Sequence, residues 1–205
     1  MKLGIFGATG TTGRHLVELA LSAGHEVTAM VRDPALADLD SFRVRLVVGA
    51  LDDQEAVQRT VAGQDAVISV LGVRKGGPTD VCAQGATSIL NAMKATGVRR
   101  IIALSAHGAS ESRDASLFIR FVRSVIAEKM RDKDEMEALI RASGFDWTLV
   151  RPPALTNGKR TGDYRFGPEL KMGWLARISR SDVAEFILRN AISSTSVQKI
   201  FTVAT

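Results

Sequence analysis

The sequence predicts an α/β fold, a doubly wound and mainly parallel sheet with helices on both faces, built as one domain over residues 1–205. Three observations carry this expectation. Short apolar runs, as strands buried on both faces require, alternate along the whole chain with longer stretches whose apolar residues recur at helical spacing. The first run, Met1 to Phe6, passes directly into Gly7-Ala8-Thr9-Gly10-Thr11-Thr12-Gly13 and then into a helical pattern with Leu16, Leu19, Ala20 and Ala23 on one face, ended by Gly24. No repeat, linker or shift of composition interrupts the alternation.

The glycine stretch organises the rest. Gly7 lets the chain turn sharply off the strand, Gly10 removes a side chain where a pyrophosphate must approach the backbone, and Gly13 lets helix and sheet pack closely. The N–H groups that open the helix then face an anion, and the helix dipole favours its charge. At a strand-to-helix junction followed by a second strand, this G-x-x-G-x-x-G pattern points to a dinucleotide bound on a Rossmann fold. A tight turn that binds nothing is the competing reading.

Composition narrows the setting. A chain of 205 residues can bury a full core unaided, and its 45% hydrophobic and 24% charged residues are ordinary for a globular domain. Cys82 is the single cysteine, which excludes an internal disulfide and a cysteine-based metal cluster and fits a reducing, cytoplasmic location. Lys2 is followed by a short strand and a glycine turn instead of a signal-peptide core, and no apolar run is long enough to cross a bilayer. The net charge of +5 does not indicate nucleic acid, because the basic residues are scattered among acids and not interleaved with aromatic residues. A cofactor with several phosphates accounts for part of the excess.

Taken in order, Glu26–Val31 is the second predicted strand, ending at Arg32-Asp33-Pro34, beside the adenosine ribose in this fold. Arg32 there suits a 2′-phosphate and so NADP(H), with Asp33 as ribose ligand the alternative. Val44–Val48 is the third strand. Ala50 stands where an acid often meets the adenine amino group, leaving that contact to backbone, Asp52 or Asp53. A short helix over Gln54–Val61 leads to the fourth strand, Ala66–Leu71, whose end at Gly72 lets backbone pass close to the cofactor. Arg74 and Lys75 follow, either to meet a phosphate or anionic substrate or as a basic surface loop. The next helix covers Val81–Thr96, with Cys82 as a small buried residue near its start.

Arg99–Leu104 is the fifth strand, and Ser105-Ala106-His107-Gly108 hangs from its carboxyl end. Ser105 is the expected catalytic-site residue, its hydroxyl holding the nicotinamide carboxamide or a substrate carbonyl; His107 is either a proton donor or a partly exposed loop histidine. One long helical stretch runs from Leu117 to Ile140, its charged run from Glu128 to Glu135 forming a mostly solvated face from which Lys133 reaches inward to the cofactor. The sixth strand, Asp146–Val150, ends in Arg151-Pro152-Pro153-Ala154, a rigid turn at the edge that carries Ser105. Residues 154–180 read as a glycine-rich pocket wall or lid, Ser181 as the N-cap of a last helix, and Lys199–Val203 as a closing strand.

The set Gly7–Gly13, Val31-Arg32-Asp33, Val61 to Ile68, Leu71-Gly72, Ser105 and Pro152-Pro153 resembles the atypical short-chain dehydrogenase/reductases of the biliverdin-IXβ reductase/flavin reductase type, with relatives among NmrA-like proteins. The resemblance covers nearly the whole chain. It implies an NADPH-dependent oxidoreductase that passes hydride to a flat conjugated acceptor such as a flavin, bilin or quinone, by positioning more than by acid–base chemistry. On matching positions, Thr9, Gly10, Thr11, Thr12 and Arg32 would hold phosphates, Leu71 and Gly72 would border the cofactor, and Ser105 would orient the nicotinamide, with Pro152-Pro153 beside it. Two departures qualify it: Ala154 stands where the mammalian-type enzyme has a histidine, and the only tyrosine, Tyr164, has Pro168 four residues on in place of the lysine of a Tyr-x-x-x-Lys pair. The alternative from another class is a redox sensor or scaffold that binds NADP(H) without turnover. A nucleotide-sugar epimerase or dehydratase ranks last.

Overall fold

The computed structural model describes residues 1–35, 39, 43–73, 76–114, 117–168, 170, 172–173 and 175–205, without the side chains of residues 114, 118, 122 and 194. Arg74 and Lys75, the basic pair of the fourth-strand loop, lie outside the described residues.

The chain begins with β1 (Lys2–Phe6), buried at every position but the first, and Gly7 turns it into α1 (Thr11–Ser22). β2 (Glu26–Val31) and β3 (Val44–Val48) extend the sheet to one side. α2 (Gln54–Val61), β4 (Ala66–Ser69), α3 (Val81–Thr96) and β5 (Arg100–Leu104) build the other. α4 (Leu117–Val125), α5 (Ala127–Ala142) and β6 (Asp146–Arg151) follow. The last part holds β7 (Ala154–Thr156), β8 (Arg165–Gly167), β9 (Arg177–Ser179), α6 (Arg180–Ala191) and β10 (Lys199–Ala204).

Eight strands form one sheet in the order β3-β2-β1-β4-β5-β6-β10-β8, parallel throughout except where β8 runs against β10; β7 and β9 make a separate parallel pair. α1 and α6 pack on one face over Leu16, Phe186 and Ile187, while α2, α3 and α5 cover the other over Ile89, Met93 and Ile140. This is the expected doubly wound Rossmann architecture. The strand order reverses between β1 and β4, so a crevice opens there beyond the carboxyl ends of the strands.

Four local expectations are corrected. The stretch from Leu117 to Ile140 is two helices, because Arg123 of α4 pairs with Asp134 of α5 at 2.6 Å. In one straight helix eleven residues would separate them by roughly 16 Å, so the chain must fold back at Ile126. Nor is the charged run mainly solvated: Glu128, Lys129, Arg131 and Glu135 are exposed, but Asp132 is buried and Lys133 and Asp134 half-buried, all three bonded to neighbouring elements. The segment from 154 onward is less irregular than its glycines suggest, since it contributes β7 and β8. Finally, Ser179 caps α6 in place of Ser181, its Oγ accepting from the Asp182 N–H at 2.9 Å, because the helix begins at Arg180.

Candidate active site

The glycine turn is shaped for something other than side chains. Gly7 has φ +86°, and a Cβ there would lie 2.8 Å from the Val70 carbonyl oxygen; one on Gly13 would lie 2.2 Å from the Gly7 carbonyl oxygen. Both positions therefore exclude any larger residue. Gly10 is the N-cap of α1 and supplies no side-chain acceptor, and no acid stands in the first turn. The opening N–H groups at Thr11, Thr12 and Gly13 are thus left for an anion. Thr9 precedes this turn, and its carbonyl accepts from Arg14 Nε at 3.3 Å.

At the next strand end, Arg32 is exposed just beyond β2 with no acidic partner among the described residues. Asp33 Oδ1 accepts from the Ala35 N–H at 2.9 Å, so this carboxylate is engaged in closing its own turn. Asp53 is similarly engaged, capping α2 through the Ala56 N–H at 2.9 Å, and of the two acids offered for adenine only the exposed Asp52 has no such duty. Leu71 packs close to Gly85 of α3, whereas a Cβ on Gly72 would enter open space.

The ends of β4 and β5 are tied together by α5. Lys133 Nζ donates to the Leu71 carbonyl at 3.1 Å and to the Leu104 carbonyl at 2.6 Å, leaving its third hydrogen only a weak approach to the Met136 sulfur at 4.0 Å. One residue earlier, Asp132 accepts from the Cys82 and Ala83 N–H groups at the start of α3. Cys82 is buried, and burial chiefly pushes its thiol up to about 11, which leaves it protonated and inert.

Ser105 is 4% exposed and donates to Glu137 Oε1 at 2.5 Å. Glu137 is fully buried and in turn receives two bonds from the Arg151 guanidinium, from Nε at 2.8 Å and from Nη2. Arg151 also reaches Glu111 Oε2 at 3.0 Å, which Arg141 shares at 3.1 Å. Burial opposes the Arg151 charge, but the two carboxylates outweigh it and hold the guanidinium above its ordinary pKa. The loops after β5 and β6 are joined by the Ser105 N–H to the Val150 carbonyl at 2.7 Å and the His107 N–H to the Pro152 carbonyl at 2.8 Å. Burial, with Arg151 adding to it, lowers the His107 pKa, so its imidazole is neutral at pH 7. Its Nδ1 is buried without a hydrogen-bond partner among the described residues.

Beyond these loops lies a cleft of about 1540 Å³, bordered by Ala106, His107, Arg151, Pro152 and Pro153. The structure therefore brings Leu71, Ser105, Lys133, Pro152 and Pro153 to one end of the sheet, with the glycine turn across the crevice and Arg32 at its outer end. Sequence reasoning missed Glu137, Arg151 and Asp132. A signal existed for the first: Glu137 stands four residues after Lys133, on the same helical face, between the buried Met136 and Ile140.

Sheet order, glycine turn and crevice together define a dinucleotide-binding α/β protein. Residues 7–193 match the model of the NAD(P)H-binding family, and the chain belongs to that oxidoreductase-type family. It is 30% identical to an uncharacterized chloroplastic protein of Arabidopsis thaliana, over 97% of this chain and 75% of that one. It is 29% identical to the uncharacterized sugar epimerase YhfK of Bacillus subtilis, over 98% and 92%. ChuY, an anaerobilin reductase of Escherichia coli O157:H7, shares the fold with a TM-score of 0.87 at 21% identity, over 99% of this chain and 96% of that one. The expected kinship with atypical short-chain dehydrogenase/reductases is borne out. Among the described residues no helix is long and apolar enough to cross a membrane.

Proposed function

We propose that this chain is an NADPH-dependent reductase of a flat conjugated acceptor, a flavin, bilin or quinone-like molecule. The observation that carries the reading is the cleft that opens beside Ala106, His107 and Pro152, next in the chain to Ser105, and has no tyrosine in its walls. Tyr164 packs edge-on against Phe186 on the α6 face of the sheet, so no tyrosinate base serves this cleft. Alcohol or sugar chemistry of the Tyr-x-x-x-Lys kind is disfavoured accordingly, despite the epimerase name of one relative.

The glycine turn fits the cofactor. Gly7, Gly10 and Gly13 would admit the pyrophosphate to the N–H groups of Thr11 and Thr12, with the hydroxyls of Thr9, Thr11 and Thr12 beside it. Arg32 would meet the 2′-phosphate, and Gly72, with open space where a Cβ would stand, would let the backbone border the cofactor. Bound there, NADPH supplies a hydride; the acceptor takes it together with one proton.

The residues around the nicotinamide position would act by placement. Ser105 gives its one hydroxyl hydrogen to Glu137, so its oxygen faces a ligand as an acceptor. That polarity matches the amide N–H of the carboxamide and not a substrate carbonyl. Lys133 would offer its third hydrogen to a ribose hydroxyl, and neutral His107 can donate a hydrogen bond to an acceptor carbonyl without being a strong acid. Pro152 and Pro153 would wall the site, with Ala154, Pro168, Leu170 and Met172 of the following segment also bordering the cleft, and the cytoplasm would supply the proton and the reduced cofactor.

One observation favours a second reading, a sensor or scaffold that binds NADP(H) without turnover: Ser105 is already committed to Glu137, and a lowered His107 pKa leaves no strong proton donor. Adding FMN, riboflavin, biliverdin or a quinone to the purified protein with NADPH, and with NADH as control, separates the two. Acceptor-dependent loss of the nicotinamide absorbance establishes the reductase; tight NADPH binding with no such loss establishes the sensor.

A further inference from the structure

The cleft does not end where a nicotinamide would lie. From Arg151 and Pro152 it continues along the α5 side of β6 and β10 as far as Trp147 and Lys199, near the opposite ends of those strands. At the ordinary rise of a parallel strand, Arg151 to Trp147 is roughly 13 Å. This extension exists because the chain leaves β6 through β7, β8 and β9 and returns in α6, which packs against α1 on the other face. Its lining includes Trp147 and Ile200 of the sheet, Ile126 and Met130 at the start of α5, and Leu170 and Met172 from the stretch before β9.

Apart from the exposed Lys199 at its far end, the charges along this wall are matched within the protein. Arg123 pairs with Asp134, Arg151 with Glu137 and Glu111, and Arg141 with Glu111. A ligand running through the extension would meet aromatic and aliphatic surface flanked by ion pairs, which rewards burial of an apolar chain and offers little to a polar or charged one.

We infer that the extension is a subsite for an apolar arm of the hydride acceptor, and that the acceptor is a quinone-type ring bearing an alkyl or isoprenoid tail. This rests on the reductase reading, since the ring must occupy the Ser105 end for the tail to run toward Trp147. A tail-less flavin would fill only one end of the cleft.

The test uses the full chain and a series of 1,4-naphthoquinones, beginning with the tail-less methyl compound and adding alkyl tails of increasing length at the neighbouring ring carbon. KM with NADPH, and Kd by calorimetry on the protein without cofactor, should both fall about two- to fourfold for each methylene buried, then level off once the extension is filled. Ile200→Asp and, separately, Ile126→Gln should abolish the dependence on tail length while the tail-less quinone keeps its KM; unfolding monitored by circular dichroism verifies that each variant is folded. Reduction of the tail-less quinone with no gain from any tail overturns the subsite and leaves the reductase reading standing. Tail-dependent Kd without turnover of any quinone, nor of FMN, riboflavin or biliverdin, supports the subsite and overturns the reductase reading. No tail dependence in either KM or Kd, with no turnover, overturns both.

Discussion

Arg32 is the residue proposed to set cofactor preference. It stands exposed at the end of β2, and the neighbouring Asp33 is occupied by the Ala35 N–H. Arg32→Glu should weaken NADPH binding by about 1.5–3 kcal/mol, the scale of a charge-assisted hydrogen bond, and spare NADH. Calorimetric titration with both cofactors checks it, and equal weakening would remove the 2′-phosphate assignment. Glu137 is a different kind of residue, since its removal is felt mainly by its partner. Glu137→Ala would leave the buried Arg151 guanidinium only its bond to the half-exposed Glu111 and should destabilise the fold by up to about 3–5 kcal/mol in urea unfolding. Ser105→Ala should leave stability nearly intact, because Glu137 keeps both bonds from Arg151, and should raise the Kd for NADPH if the carboxamide assignment is right. At this scale the sequence was readable where a residue type has one use, as in the glycine turn. It was unreadable for Arg151, and for Glu137 readable only from its place between Met136 and Ile140, because a charged residue's burial depends on a partner brought from another element.

Between elements, α5 does most of the joining. Its face from Asp132 to Glu137 caps α3, holds the ends of β4 and β5, grips Arg151 of β6 and pairs with Arg123 of α4. The sequence pattern presents this charged run as a mostly solvated face with only Lys133 turned inward, because periodicity does not show that Asp132, Asp134 and Glu137 find partners on neighbouring elements. The break at Ile126 was hidden for the same reason: apolar spacing continues through it, and only the Arg123–Asp134 pair requires the turn. Asp132→Ala should cost about 1–2 kcal/mol, the range of a lost helix cap, with a loss of hydrogen-exchange protection concentrated at the start of α3 near Cys82. An even loss across the sheet would contradict that local role. The parallel strands of the main sheet, by contrast, were legible to within a residue or two, since a doubly covered parallel sheet demands unbroken apolar runs, whereas the short β7, β8 and β9 carry no such run and were not legible.

Over the whole molecule, several ionisable groups respond to acid in one direction. Burial works against the charge on Asp134, Asp182 and Glu111, but hydrogen bonds and arginine neighbours prevail and lower all three pKa values. A lowered carboxyl pKa gives stability that is complete above the unfolded value, about 4, and is lost as pH falls through the folded value. His107 adds to the trend from a higher pH: burial keeps its imidazole neutral in the fold, so acid below about 6.5 favours the unfolded chain. The urea midpoint should therefore decline in two stages on acidification, and His107→Gln should reduce the earlier one, leaving the part that His25 contributes through its own lowered pKa. The fold and the glycine turn were legible because sheet order and turn chemistry are local and repetitive; the cleft beyond β5 and β6 was not, because it is made largely by loops.

The most direct test of the reductase account is a single turnover with NADPH deuterated on one or the other face of the transferable carbon, bound to the protein and mixed without oxygen with excess menadione or riboflavin. A chain that positions the nicotinamide for hydride transfer should oxidise bound NADPH only when acceptor is present, and should slow for one label and not the other. Bound NADPH that stays reduced, or that is lost at the same rate with either label and without acceptor, would contradict it.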